Sequence, residues 1–315
     1  MTDGNRTAFV FPGQGSQYVG MGQALCDRFP EAGAVFDEAE EALGFGLRGL
    51  CFGGPDAELN RTEHTQPAIL TVSVAALRVL EAQVGVVPSW VAGHSLGEYS
   101  ALVCAGALGL ADAVRVVRQR GRLMQQAVPE GEGGMAAVLG LEEPAVRELC
   151  EEAARGEVVA PANLNGGGQV VVSGAREAVR RAVQLARDRG ARKVVELAVS
   201  APFHCALMTP AAEGLRQVLE DVEVRPLRMG VVTNVEAALN ADPGRVKALL
   251  AEQVVAPVRW EESVRALAGL GCEQVIELGP GRVLSGLVRR IDRSMSTSNL
   301  EKPEDLEKLG AEAEA

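Results

Sequence analysis

Residues Gly93-His94-Ser95-Leu96-Gly97 place the tightest constraint on how this chain folds. A short apolar run at 89–92 precedes them and a helical pattern at 95–107 follows. G-x-S-x-G between a strand and a helix is the pattern of a nucleophile elbow, a turn sharp enough to lift a serine hydroxyl clear of a sheet. The glycines permit the turn and close helix–strand packing, and the helix N-terminus behind the serine offers free N–H groups to an oxyanion. A glycine-rich turn with an incidental serine fits the same five residues, so the rest of the chain has to decide.

Strands followed by helices surround this motif. Thr7–Phe11 reads as a buried strand running into Pro12-Gly13-Gln14-Gly15, and residues 31–43, 65–83 and 111–128 carry helical periodicity. Such alternation predicts an α/β fold with a parallel sheet covered on both faces. The pattern changes after Pro129. A linker-like stretch at 130–134 leads into strand 135–139, helix 142–154, strands 157–163 and 169–172, helix 175–189 and strand 192–199. That β-α-β-β-α-β order is ferredoxin-like, and Asn165-Gly166-Gly167-Gly168 is a hairpin signal between its middle strands. A small inserted domain is therefore expected at 130–198. The first pattern resumes with helix 205–219, strand 229–233, helices 243–254 and 261–268, strand Gln274–Leu278 and helix 282–291, so 1–129 and 199–291 form one discontinuous large domain. Residues 292–315 are polar, with six acids and two bases from Glu301 onward, and are expected to be a flexible acidic tail with at most a short helix.

Composition narrows the function classes. At 315 residues and 47% hydrophobic the chain can bury a sizeable core, and its 42 acids against 31 bases argue against bulk nucleic-acid or anionic-membrane binding. No apolar stretch reaches the ~18 residues of a membrane span, and the N-terminus lacks a secretory pattern. Six cysteines at 26, 51, 104, 150, 205 and 272 form no C-x-x-C pair, and three histidines offer no zinc spacing. Reduced thiols, a cytoplasmic protein and no metal are the expectation.

A serine nucleophile needs a base. His64 lies in a polar stretch suited to a helix start. His94 adjoins Ser95 on a sharp turn and suits a supporting role. His204 lies in Ser200-Ala201-Pro202-Phe203-His204-Cys205, a proline-bearing loop between a strand and a helix, where a parallel fold places catalytic groups. No acid stands out as a third member, so a backbone carbonyl could orient His204 in a dyad. Arg120 shares the apolar stripe of its helix with Ala113, Val116, Val117 and Met124, whereas Arg115, Arg118 and Arg122 lie on a face expected to meet solvent. A guanidinium in an apolar stripe needs an anion: either a substrate carboxylate held bidentately or a protein carboxylate such as Glu98. After the first strand, Tyr18 stands where G-x-G-x-x-G needs its third glycine, which disfavours a dinucleotide. Gln14 there could instead donate to a reacting carbonyl.

Phe11-Pro12-Gly13-Gln14-Gly15-Ser16-Gln17, Gly93-His94-Ser95-Leu96-Gly97-Glu98-Tyr99, Arg120-Gly121 with Met124, Ala162-Asn163-Leu164-Asn165, Phe203-His204 and Pro257-Val258-Arg259-Trp260 occur in one order. Together they resemble the malonyl-CoA:acyl-carrier-protein transacylases of type II fatty-acid synthesis, and the related acyltransferase domains of polyketide synthases, over residues 7–291. The resemblance implies an α/β-hydrolase-like large domain beside the ferredoxin-like small one. It implies Ser95 as nucleophile, His204 as base and acid, and Gln253 as the residue whose carbonyl orients that histidine. It also implies an oxyanion hole of the Gln14 and Leu96 N–H groups, Arg120 against the malonyl carboxylate, and His94 and Asn163 in support. Malonyl-CoA and holo acyl carrier protein are the implied partners, with no cofactor and a monomer expected. Phe203 before the histidine is similar to malonyl-selective members, a weak vote for malonyl over methylmalonyl. The carrier is typically acidic, so a local basic patch would have to receive it: Arg115, Arg118 and Arg122, the cluster at 187–193, or Arg289, Arg290 and Arg293. A polyketide-pathway acyltransferase and a serine hydrolase that gives its acyl group to water remain the alternatives, and a non-catalytic scaffold is opposed by the joint presence of Ser95, His204, Gln14 and Arg120.

Overall fold

The computed structural model describes residues 6–313 apart from 198 and 200. The expected domain limits at 1 and 198, Ser200 of the histidine loop, and residues 314–315 of the tail lie outside the described residues.

Among the described residues ten strands make two sheets. They are β1 Thr7–Phe11, β2 Trp90–Gly93, β3 Gly133–Leu139, β4 Val159–Gly166, β5 Gln169–Ala175, β6 Lys193–Glu196, β7 Gly230–Val232, β8 Leu239–Asn240, β9 Gln274–Leu278 and β10 Ser296–Leu300. The first sheet has six strands in the order β10-β9-β1-β2-β7-β8. All its pairings are parallel except that of β7 with β8. Alternate side chains leave opposite faces of each strand. Phe9, Phe11, Val91 and Ile276 join the core under helices Pro30–Leu43, Thr62–Gln83 and Leu110–Gln126. Ala8, Val10, Ala92 and Val275 join the core under helices Trp260–Gly269 and Val283–Ile291. Burial on both faces is why these strands read as unbroken apolar runs.

The second sheet is antiparallel throughout, in the order β4-β5-β3-β6. Ala136, Val138, Val170 and Val172 pack against helices Glu143–Ala154 and Arg176–Asp188. The opposite face turns Met135, Ala137 and Val171 toward the large core. Leu164 N donates to Val258 O at 2.8 Å and Val258 N to Ala162 O at 2.8 Å, so β4 is clasped by the Pro257–Trp260 segment of the larger part. No helix among the described residues is long and apolar enough to cross a membrane.

The C-terminal segment corrects the expectation of a flexible tail. Ser296–Leu300 adds β10 to the edge of the large sheet in parallel register with β9, and helix Pro303–Ala313 follows. Its sequence hides this because a strand reading STSNL owes its place to backbone pairing, with only Leu300 fully buried. Polar bonds complete the attachment. Asp305, the third residue of the helix, reaches back to the N–H of Lys302 and of Glu301, both at 3.1 Å, which is half of a capping box. Its other oxygen accepts from Arg282 at 3.2 Å. Asp305→Ala is expected to destabilise the fold by about 1–2 kcal/mol, the usual cost of a lost cap. Urea denaturation would measure this, and an unchanged midpoint would show the segment to be unattached.

Candidate active site

The parallel sheet brings five strand ends to one edge, and three of them carry the site. Gln14 follows β1, Ser95 follows β2 and Asn234 follows β7. Ser95 has φ 51°, in the left-handed region that non-glycine residues avoid, and begins the turn into helix Gly97–Cys104. The flanking glycines are required by contact. A Cβ on Gly93 would lie 1.9 Å from the carbonyl carbon of Gly97, and one on Gly97 would lie 2.0 Å from Phe11 O. The helix start therefore rests directly on β1, and the serine side chain projects into a cavity of about 260 Å³.

Asn234 clamps this turn. Its Oδ1 accepts from Ser95 N at 2.6 Å and its Nδ2 donates to Gly93 O at 2.6 Å. Among the described residues neither Gln14 N nor Leu96 N meets a protein acceptor, and both residues line the cavity. The Gln14 side chain is held aside by Thr62 Oγ1 at 3.3 Å.

His204 enters from its loop with φ 59°, a second non-glycine residue in the left-handed region. Its Nδ1 lies 2.8 Å from Gln253 O. Gln253 ends helix Pro243–Gln253, where the last carbonyls lack helical partners. A carbonyl only accepts, so Nδ1 carries the proton and Nε2 is left as the acceptor for Ser95 Oγ, 2.7 Å away. Burial, with the Arg120 charge second, pushes the imidazole down to about 3, so His204 stands as a neutral base.

Arg120 is 2% exposed and is surrounded by neutral partners. Nη1 donates to Gln66 Oε1 at 2.9 Å, and Nη2 to Gln253 Oε1 at 2.9 Å and to Ser95 Oγ at 3.1 Å. Its Nε, buried, has no partner, and the guanidinium carbon lies 5.6 Å from the Tyr99 ring centroid. Among the described residues it forms no ion pair, Glu98 included. Glu98 acts at one remove, through Gln253 Nε2 at 2.8 Å. A buried cation with no touching anion is costly, and it stands beside the nucleophile.

The remaining sequence candidates fall into place around this core. His94 Nε2 donates to Asn165 Oδ1 at 2.9 Å and its ring packs 5.6 Å from Trp260. Asn163 lines the cavity and leaves a buried Oδ1 unpartnered. Phe203 lines it as well. His64 is apart, at the start of Thr62–Gln83, with Nδ1 2.9 Å from Glu58 O. The arginines expected to face solvent on Leu110–Gln126 are largely committed. Arg115 and Arg118 donate to Ala42 O and Leu43 O at the end of Pro30–Leu43, and Arg122 to Glu63. The six cysteines are free thiols, five of them buried. The sequence reading missed Asn234 and Gln66. Each had a signal: a polar residue directly after a buried strand, and an amide inside a helix otherwise apolar at that level.

A serine hydroxyl on a tight strand-to-helix turn, a neutral imidazole at hydrogen-bond distance, two free N–H groups among the described residues and a cation are the parts that covalent acyl transfer through a serine requires. Comparison with known proteins gives the family. Residues 8–303 match the acyl transferase domain family, and the chain belongs to it. It is 48% identical over 296 residues, 94% of this chain and 96% of the relative, to the malonyl CoA-acyl carrier protein transacylase of Salmonella typhimurium. A solved malonyl-CoA:acyl carrier protein transacylase from Xanthomonas oryzae superposes with TM-score 0.96 at 46% identity, covering 98% of each chain. A malonyl-transacylase solved in complex with a type II polyketide acyl-carrier protein superposes with TM-score 0.96 at 44% identity, covering 98% of this chain and all of that one.

Burial of two histidines predicts a pH dependence of stability. His94 and His204 both have lowered pKa values, chiefly from desolvation. A depressed histidine contributes stability that is complete above its unfolded value near 6.5 and is lost as pH falls toward the folded value. For His204 that window runs from 6.5 down to about 3. The unfolding free energy of His204→Gln, measured by urea denaturation relative to wild type, is therefore expected to rise as pH falls below about 6.5, by up to ~1.4 kcal/mol per unit. A constant difference across that range would show that His204 is not buried neutral.

Proposed function

We propose that this chain moves a malonyl group from malonyl-CoA to the phosphopantetheine thiol of acyl carrier protein through a malonyl-Ser95 intermediate, supplying fatty-acid synthesis. The observation that carries the reading is Arg120: a buried guanidinium, 3.1 Å from the nucleophile and without a carboxylate partner, is suited to an acyl group that ends in a carboxylate. The relatives named malonyl CoA-acyl carrier protein transacylase support the donor and acceptor, and the carrier complex of one relative supports the partner.

Malonyl-CoA enters beneath the small sheet, and its free carboxylate displaces the neutral partners of Arg120. That pairing places the thioester carbonyl over Ser95. Ser95 Oγ forms a bond to the carbonyl carbon as its proton passes to His204 Nε2. The oxyanion lies against the N–H groups of Gln14 and Leu96. The C–S bond then breaks, and the CoA sulfur leaves with the proton from His204. The carrier thiol returns by the same route: it gives its proton to His204, attacks the ester carbon, and Ser95 leaves and recovers the proton. The malonyl carboxylate has a second effect. By neutralising Arg120 it removes one of the influences holding His204 down, so the base strengthens when the correct substrate is bound.

We read residues 1–129 and 199–291 as the α/β-hydrolase-like catalytic unit and 130–198 as the ferredoxin-like unit. Parallel strand ends bearing an elbow support the first, and the order β4-β5-β3-β6 with two helices on one face supports the second. The enzyme is proposed to work as a monomer in the cytoplasm, in keeping with six free thiols. Exposed Arg289, Arg290 and Arg293 are proposed to receive the acidic carrier. Arg289 and Arg290 lie in the last turn of helix Val283–Ile291, whose first turns line a second cavity that shares Gln14, His94 and Asn163 with that of the site.

Intact-protein mass spectrometry after brief mixing with malonyl-CoA tests the reading. An adduct of about 86 Da is expected on wild type, absent from Ser95→Ala and discharged by holo carrier protein. Discharge to water in its place would identify a hydrolase. Arg120→Ala is expected to lose about 100-fold in kcat/KM for malonyl-CoA, consistent with removing one partner of a buried charge pair, and much less for acetyl-CoA. Equal losses would contradict the carboxylate clamp. In steady-state assays, Arg290→Glu with Arg293→Glu is expected to raise KM for the carrier and leave KM for malonyl-CoA unchanged. Unaltered carrier kinetics would move the docking patch elsewhere.

A further inference from the structure

The proposed chemistry leaves one buried acid without a task. Glu98 is the second residue of the helix behind Ser95, is 2% exposed, and touches neither the cavity nor a cation. One of its oxygens, Oε2, accepts twice: from Gln253 Nε2 at 2.8 Å and from the backbone N–H of Asn234 at 3.0 Å. Those two residues hold everything else. Gln253 offers its carbonyl to His204 and its side-chain oxygen to Arg120. Asn234 offers Oδ1 to Ser95 N and ties Gly93. Gln253 Nε2 also reaches Ser95 O at 3.1 Å.

We propose that Glu98 is the positioning residue of the site: its Oε2, shared between Gln253 and Asn234, sets the distance between the serine turn and the histidine loop and orients the Gln253 amide toward Arg120. The inference rests on the reading of Ser95 and His204 as nucleophile and base. The amide orientation is the critical step. With Nε2 committed to a carboxylate, Gln253 Oε1 is obliged to face Arg120. Without that anion Nε2 keeps only Ser95 O at 3.1 Å and Asn234 Oδ1 at 3.4 Å, and the orientation of the amide toward Arg120 is less firmly held. Burial pushes Glu98 up to about 7, against the lowering effect of Gln253, Asn234 and Arg120. The ionisable groups that face it are Arg120 from the neighbouring helix, Tyr99 beside it, and His204 beyond Gln253. His204, held at about 3, does not titrate in the same range.

The test uses an alkyl fluorophosphonate, which needs no carboxylate and no carrier. Ser95 Oγ forms a bond to phosphorus, fluoride leaves, and the serine proton passes to His204. Labelling is followed by intact mass between about pH 5 and about pH 9, the span needed to resolve a single ionisation near neutrality. Wild type is expected to label at Ser95 with a rate that falls as pH drops through about 7, the value for Glu98. Glu98→Gln is expected to label about 100-fold more slowly, the scale of a misplacement near 1 Å, and to show no step near neutrality. Glu98→Asp, which keeps the anion on a shorter arm, is expected to keep the step at a reduced rate. Variants that label like wild type, with the same step, overturn the inference alone. Should Glu98→Gln not fold, Glu98→Asp decides: labelling at the wild-type rate overturns the inference. Wild type that takes no label at Ser95 overturns the nucleophile assignment and the inference with it.

Discussion

A guanidinium buried beside a serine, with no carboxylate touching it, is the constraint on which this site depends. Desolvation alone lowers the proton affinity of Arg120, and the surrounding structure answers with dipoles in place of a counter-ion: Gln66 Oε1, Gln253 Oε1 and the face of Tyr99. A protein carboxylate in direct contact would satisfy the cation and leave nothing for a ligand. Neutral acceptors stabilise it enough to stay folded and leave its charge available. Glu98, screened by the Gln253 amide, supplies charge compensation at a distance. Burial, with the Arg120 charge second, keeps His204 unprotonated, so a neutral imidazole and an unneutralised cation stand together beside Ser95.

Placement of these groups follows from the parallel sheet. Strands running the same way end at one edge, so loops far apart in sequence meet there. Gln14, Ser95 and Asn234 arrive on β1, β2 and β7, while His204 and Gln253 arrive from a loop and a helix end. The proposed nucleophile and base sit in strained backbone. Of the four non-glycine residues with positive φ among those described, Ser95 and His204 are two. Strain of this kind costs about 1–3 kcal/mol per residue and persists only where neighbours over-determine it. Here the neighbours are identifiable: Asn234 and β1 for Ser95, the Gln253 carbonyl for His204. The small sheet then covers the cavity with the apolar Met135 and Val171, which lowers the dielectric around the charges.

Much of this was legible in the residues, for physical reasons that differ by element. The elbow was legible because its glycines are demanded by contacts under 2.5 Å. The six-element order of the small sheet was legible because its strands alternate between two buried faces and its turn is three glycines. Arg120 was legible because an arginine in an apolar stripe violates the helical pattern. What could not be read were features set by pairing across long separations. β10 has the composition of a loop and exists because β9 offers it an edge. The arginines of Leu110–Gln126 looked solvated because the carbonyls they cap belong to a helix some seventy residues earlier. Asn234 and Glu98 meet across 136 residues, and no local periodicity announces such a bond. Gln253 reached the site list by resemblance only, since what it gives His204 is a main-chain atom.

That main-chain atom bears on why such a site would favour transfer over hydrolysis. A carbonyl fixes the tautomer and direction of His204 as well as a carboxylate would. It contributes only a partial charge to the imidazolium that forms during the reaction, so the histidine is a weaker base. For the first half-reaction the weakness is offset by the proposed oxyanion hole, where the N–H groups of Gln14 and Leu96 would receive the developing charge. For the second half-reaction the incoming nucleophile decides. A thiol with pKa near 8.5 gives up its proton readily, whereas water, near 15.7, needs the stronger base that a buried carboxylate would have created. The thiol therefore asks less of His204 than water does, which favours the carrier thiol over water as acceptor in the proposed second half-reaction.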